Sequence, residues 1–425
     1  HPDVDKNLAG SSGLLGPMQN RRGGIQLGMY LPQKGPDAAY GPAEPHFEDA
    51  ALNVHGHLPV THPVKDGEEV MIDGHKVVFY HVVADTRDSI IAHFPDLDLA
   101  LHNAAVVNML FSLYTLRGDY YRTPVDMVAG IDKLRSLNAK YVIGVHGLPL
   151  SGEDAVEVPT AHRDAYAFTY NQAIRSLNKG MNADEMVEAV RLPKHLREHP
   201  MLYPAYVDHE YNVRGQYRGI VGWFQEDTAD LHPPTTKELG ETFIELAGGI
   251  DKLIASAQKA FGEKKYNLTA KLLSYAIAVE PDNKKARQLK ADALRQMAYT
   301  TQSGIQTRGF LLTHALHLEG KLNWKQPPPM LFFGKPTVEG ILASAPGTTL
   351  KLLEINIDPE KSANVDRVVT VTFTDLKKSW ALHVRRGVAE VNENVPEKVD
   401  ATIGLPRKSF ARIITGDTTL TKEIE

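Results

Sequence analysis

The spacing of apolar and polar positions changes character four times along this chain. Residues 1–66 have no regular period; "LAGSSGLLGPMQNRRGG", "LPQKGPDAAYGPAEP" and "HGHLPVTHP" are rich in Gly and Pro and predict loops. "EEVMIDGHKVVFYHVV" then predicts a hairpin turning at Asp73-Gly74, with a β-branched second strand. "DLDLALHNAAV" predicts a strand that enters a core. "TPVDMVAGIDKLRSL" has helical spacing, with Val125, Met127, Val128, Ile131 and Leu134 on one face. "KYVIGVHG" predicts a buried strand, and strand, helix, strand in succession makes an α/β layer.

From residue 160 to 312 the period becomes helical. Three amphipathic helices are predicted in the middle of this stretch. One places Ile250, Leu253, Ile254, Ala257 and Phe261 on a face, and the last does the same with Ala286, Leu289, Ala293 and Met297. No second copy of this unit follows, which excludes a solenoid. "KQPPP", Lys325 to Pro329, predicts a stiff spacer. Beyond it Val369, Val371 and Phe373 alternate with polar residues, which predicts a half-buried strand. A hairpin turning near Arg386-Gly387 follows, and then a proline-started helix with Phe410, Ile413 and Ile414 on one side. The expected domains are residues 1–158, 159–324 and 330–425.

Composition narrows the chemistry. A length of 425 residues suggests two to three domains. Hydrophobic and charged contents of 42% and 23% are those of a globular protein, and no apolar run is long enough to span a membrane. A formal charge of −5 argues against nucleic acid as a partner. The chain has no cysteine, so any metal would fall to His, Asp and Glu, and the 18 histidines leave room for that. The opening "HPDVDKNLAG" carries no charged-then-apolar leader pattern.

Several segments in order, "LAG…MQNRRGGIQLGMYLP", "LYTLRG", "VHGLPLSG", "RDAYAFTYNQAIRSLNKG", "GWFQEDTADLHP", "GGIDKLIASAQKAF" and "VDATIGLPRKSFARIITGD", resemble the zinc-dependent alkyl sulfatases of the metallo-β-lactamase superfamily. The resemblance implies an α/β metallo-β-lactamase-like (αββα) domain, here its distal part. An all-α dimerisation domain and an α+β sterol-carrier-like domain would follow. It implies hydrolysis of long-chain alkyl sulfates at two zinc ions and a homodimer, and it favours a periplasmic or secreted location while leaving a cytoplasmic one open. Both ends look short of the family pattern, the N-terminal side by the part that carries the first metal motif.

The family's His-x-His-x-Asp-His motif has no counterpart in this chain; "HGHLPVTH", with His55, His57 and His62, is the nearest histidine cluster. By position, Asp85 stands at a family glutamate, Ala104 at a second, and His146 at a ligand histidine. His102 lies two residues before Ala104, about 6–7 Å along an extended chain. The metal candidates are therefore Asp85, His146 and His102.

Arg117 takes the position of the sulfate-binding arginine; a guanidinium suits a tetrahedral oxyanion because its paired N–H donors match two oxygens. Asn212 and Tyr217 match a family pattern near the head group. Trp223 is expected in the core and Arg122 as a structural or rim charge, while Arg21 and Arg22 match a family pair of open role. Three functions are compatible with these residues: a zinc-dependent sulfuric ester hydrolase, a related hydrolase of another ester, and a non-catalytic dimer that binds amphiphiles.

Overall fold

A computed structural model describes residues 1–4, 14–39, 60–326 and 337–424. The described residues of 19–48 and 65–332 form one compact unit, and those of 1–18, 49–64 and 333–425 form another.

The first unit is built on a six-stranded sheet in the order β1-β2-β3-β4-β5-β6. Helix α1 (Leu14–Gln26) precedes it. The strands are β1 (Glu69–Ile72), β2 (His75–Val82), β3 (Ser89–Phe94), β4 (Leu99–His102), β5 (Tyr141–Gly144) and β6 (Leu150–Ser151). The β1–β2 hairpin turns at Asp73-Gly74, where both residues have positive φ, the conformation a two-residue turn needs to match strand twist. β4 and β5 are parallel, joined by a crossover through α2 (Pro124–Ser136), and α3 (Asp154–Leu177) packs on α2.

One face of the sheet and these helices share a core of Val82, Ile91, Ala100, Val142, Met127, Ile131, Leu134 and Val158. Only Val142 of β5 enters it. Tyr141 and Ile143 are 42% and 37% exposed, so "KYVIGVHG" is half-buried rather than buried, because α2 and α3 cover one face of the sheet. Val125 is 49% exposed for a related reason: Pro124, not Val125, turns inward at the first turn of α2.

α3 runs unbroken through residue 158, the expected domain boundary. After it come α4 (Ala183–Ala189), α5 (His209–Val221), α6 (Thr236–Ala247), α7 (Ile250–Gly262), α8 (Tyr266–Val279), α9 (Lys284–Thr300) and α10 (Gln306–Leu318). Capping boxes at Asn182/Glu185 and Thr235/Glu238 fix the starts of α4 and α6. Leu253, Ile254, Ala257, Leu273, Ala286 and Leu289 make one helical core, as the period predicts. Arg295 pairs with Asp37 at 2.9 Å and bonds Glu319 through both terminal nitrogens. These bonds hold the Glu319 carboxyl down to about 2.

In the second unit the C-terminal part has α11 (Val338–Ala343), α12 (Pro346–Ile355), β7 (Asp366–Phe373), β8 (Lys378–Arg385), β9 (Val388–Asn392), β10 (Ala401–Leu405), α13 (Arg407–Thr415) and α14 (Leu420–Ile424). The sheet order is β10-β7-β8-β9, with β10 parallel to β7. Leu350, Val371, Phe373, Trp380, Leu405 and Phe410 fill its core, and Phe373 meets Phe410 edge-on at 5.3 Å. The hairpin turns at Arg386-Gly387 as expected. Pro327, Pro328 and Pro329 of the spacer, and His55 and His57, lie outside the described residues.

Candidate functional site

The segment Leu113–Gly118 follows β4 and has no secondary structure, so its backbone groups need partners from elsewhere. Side chains distant in sequence supply them. The Leu113 and Tyr114 N–H groups donate to Asn212 Oδ1 at 2.8 and 3.3 Å, and Asn212 Nδ2 donates to the Phe111 carbonyl at 3.1 Å. The Leu116 N–H donates to Gln306 Oε1 at 3.0 Å, and the Arg117 N–H to Gln26 Oε1 at 2.8 Å. Thr115 Oγ1 also donates to Gln26, and Arg22 donates to the carbonyls of Arg117 (2.7 Å) and Leu116. Asn212, Gln26 and Gln306 are almost wholly buried. The loop is therefore tied to α1, α5 and α10, and Arg117 stands at its end beside Gly118, whose φ is +93°.

Two glycines let the loop lie directly on α5. A Cβ on Gly215 would fall 2.3 Å from Tyr114 Cβ, and one on Gly219 would fall 2.0 Å from the Tyr121 ring. Between the loop and α5 lies a cavity of about 310 Å³ bordered by Tyr114, Tyr120, Tyr121, Asp119, Arg122 and Arg218. The Tyr121 hydroxyl donates to Gln216, and burial raises its pKa to about 12, so it stays a neutral donor across the physiological range.

The charges form an alternating chain. Arg117 Nη2 is 2.8 Å from Asp119 Oδ2, and Arg122 Nη2 is 3.6 Å from the same oxygen and 2.5 Å from Asp85 Oδ1. Arg122 also donates to the carbonyls of Ser112 (2.8 Å) and Asp85 (3.1 Å), and lies over the Phe111 ring. It is buried, so of the two expected roles, structural or rim charge, the structure shows the structural one.

Strand directions bring the metal candidates to one end of the sheet. The ends of β2, β4 and β5 coincide there, with Asp85 three residues past β2, His102 closing β4 and His146 two residues past β5. His102 and His146 border a narrow cavity of about 10 Å³, the size of one water. The His102 ring lies against Gly144, and its Nδ1 accepts the Ala105 N–H at 3.2 Å. Burial, with a smaller contribution from His162, lowers its pKa to about 4 and keeps it neutral. Asp85 turns instead to Arg122. Ala104 is buried with φ +44°.

Among the described residues no three His, Asp or Glu side chains gather to hold a metal ion. Asp85, His102 and His146 do not fit a zinc centre: the carboxylate is neutralised by an arginine, and the two histidines have no third donor among the described residues.

The remaining candidates divide. Asn212 is a buried loop clamp. Tyr217 is 4% exposed among Ala173, Met186 and Val213, away from the cavity, and its hydroxyl reaches only the Phe224 carbonyl at 3.5 Å. Trp223, expected in the core, is 61% exposed just after α5 ends at Gly222. Sequence reasoning missed Gln26, Gln306, Asp119 and Arg218. Only Asp119 carried a local signal, as a carboxylate two residues from Arg117.

Comparison with known proteins agrees with this architecture. Residues 182–321 match the family model for alkyl sulfatase dimerisation, and residues 338–425 the model for the alkyl sulfatase C-terminal domain. The chain is 34% identical to a linear primary-alkylsulfatase of Pseudomonas sp., over 98% of this chain and 79% of that protein. To an (R)-specific secondary-alkylsulfatase of Pseudomonas sp. it is 28% identical, over 94% of this chain and 60% of the relative. The solved stereoselective inverting sec-alkylsulfatase from Pseudomonas sp. superposes with a TM-score of 0.87 at 25% identity, over 99% of this chain and 66% of that one. The chain thus spans from three fifths to four fifths of the length of these relatives.

Proposed function

Since the chain belongs to the alkylsulfatase family, we propose that it acts on sulfate esters of long-chain alcohols, with the sulfate head held by Arg117. The observation that carries this reading is the loop Leu113–Gly118: Asn212, Gln26, Gln306 and Arg22 tie its backbone, it borders a cavity of about 310 Å³, and its Arg117 pairs with Asp119 of the cavity wall. Preorganised donors bind an anion without the cost of ordering a loop. Sulfate is a weakly basic leaving group, so hydrolysis asks for an activated water and for a site that steadies the departing anion. Arg117 serves the second demand. A zinc-activated water, which the family likeness suggests for the first, would require metal donors other than those the described residues bring together. The dimerisation match supports a homodimer through the helical region.

A second reading, an amphiphile-binding dimer with a degenerate metal site, is favoured by the Asp85–Arg122 pair, which removes a carboxylate from the sheet end. Turnover of octyl sulfate separates the two. Sulfate release by the protein with added zinc supports the hydrolase; saturable binding without release supports the second reading.

A further inference from the structure

Three arginines stand near the loop and are not equivalent: Arg122 and Arg218 line the cavity, while Arg117 sits behind Asp119, which lines it. Arg117 and Arg122 are both faced by carboxylates, from Asp119 and Asp85. Arg218, on α5, is exposed at the cavity wall, and its side chain makes no ion pair or hydrogen bond among the described residues. Asp119 is also held differently from Asp85. Its Oδ1 accepts only the adjacent Tyr120 N–H, at 2.9 Å, it borders the cavity, and it follows Gly118, where the backbone is free to turn.

We propose that Asp119 is an internal stand-in for the sulfate head group, and that Arg218 is the cation that meets the sulfate when it takes Asp119's place on Arg117. This rests on the reading of Arg117 given above and extends it to two further residues. The charge balance supports it. Arg117, Arg122, Asp85 and Asp119 sum to zero, so a monoanionic ester entering the cavity finds net attraction only from Arg218 until Asp119 swings away. Asp119 thereby sets selectivity: a ligand must displace a carboxylate that holds Arg117 through a single oxygen, and a sulfate offers the guanidinium two. The three tyrosines around the cavity supply apolar rings for the first carbons of the alkyl chain.

The test is isothermal titration of octyl sulfate, below its micellar range, into the wild-type chain and Asp119→Asn, Arg218→Ala and Arg117→Ala variants. Thermal unfolding of each checks that the fold is kept. Asp119→Asn keeps the bond to the Tyr120 N–H and removes the competing charge; affinity should rise about tenfold, the worth of one charge-assisted hydrogen bond. Arg218→Ala should lower affinity by about fivefold to tenfold on the same grounds. Unchanged affinity in both variants, with binding abolished by Arg117→Ala, overturns the exchange and leaves the Arg117 reading standing. Binding indifferent to Arg117→Ala overturns both.

Discussion

The loop that carries Arg117 and the sheet end that carries Asp85, His102 and His146 belong to one unit, yet they are built in opposite ways. The loop has no regular structure, and each of its N–H groups described above is met by a buried side chain from a distant helix. The sheet end has regular strands that bring all three candidates to one side, yet their side chains do not converge. Placement by topology is therefore weaker than placement by a side-chain clamp. A sheet can align strand ends while a single arginine, Arg122, draws off the carboxylate.

The largest effect should come from unclamping the loop. Asn212→Ala leaves the Leu113 and Tyr114 N–H groups and the Phe111 carbonyl without partners in a buried setting, at a cost of about 2–4 kcal/mol, and should abolish octyl sulfate binding. Urea unfolding and calorimetry check the two parts. Retained binding would show that the loop keeps its shape without the clamp.

The sheet end should announce itself through acid. His102 is held neutral with a folded pKa of about 4, below its unfolded value, so the unfolded chain binds the extra proton between about pH 6.5 and 4. Stability is complete above that window and falls as pH drops through it, by about 3 kcal/mol for this one group. His102→Asn should flatten the corresponding part of a melting-temperature profile, and an unchanged slope would place the acid sensitivity in His209 or His162, which burial also lowers.

Gly215→Ala forces Tyr114 off α5 and should cost about 1–3 kcal/mol, read by thermal unfolding. The smallest effect belongs to Asp85→Asn. Asp85 is partly exposed, and Arg122 keeps its bonds to two carbonyls, so about 1 kcal/mol is expected, with no change in bound zinc by elemental analysis. A drop in zinc content would return Asp85 to the metal side of the comparison.

Much of the fold was legible. The hairpins at Asp73-Gly74 and Arg386-Gly387 depend on local turn chemistry, and the face of Leu253, Ile254 and Ala257 on helical period, both of which a sequence displays. Tyr141, Ile143 and Val125 were not, because exposure depends on which neighbour covers a face, and apolar residues read alike on either side. In the proposed site, Arg117 stands out in the sequence only as a residue type in a motif. Its supports do not stand out: Asn212 acts across 99 residues, Gln306 across 190 and Asp85 on Arg122 across 37, and no local pattern encodes those pairings.

The direct test of the difference between the two regions is to titrate octyl sulfate into the chain after exhaustive treatment with a zinc chelator. If the anion site is held by side-chain clamps alone, the dissociation constant is the same before and after chelation. Binding that disappears with the chelator and returns with zinc would contradict that account.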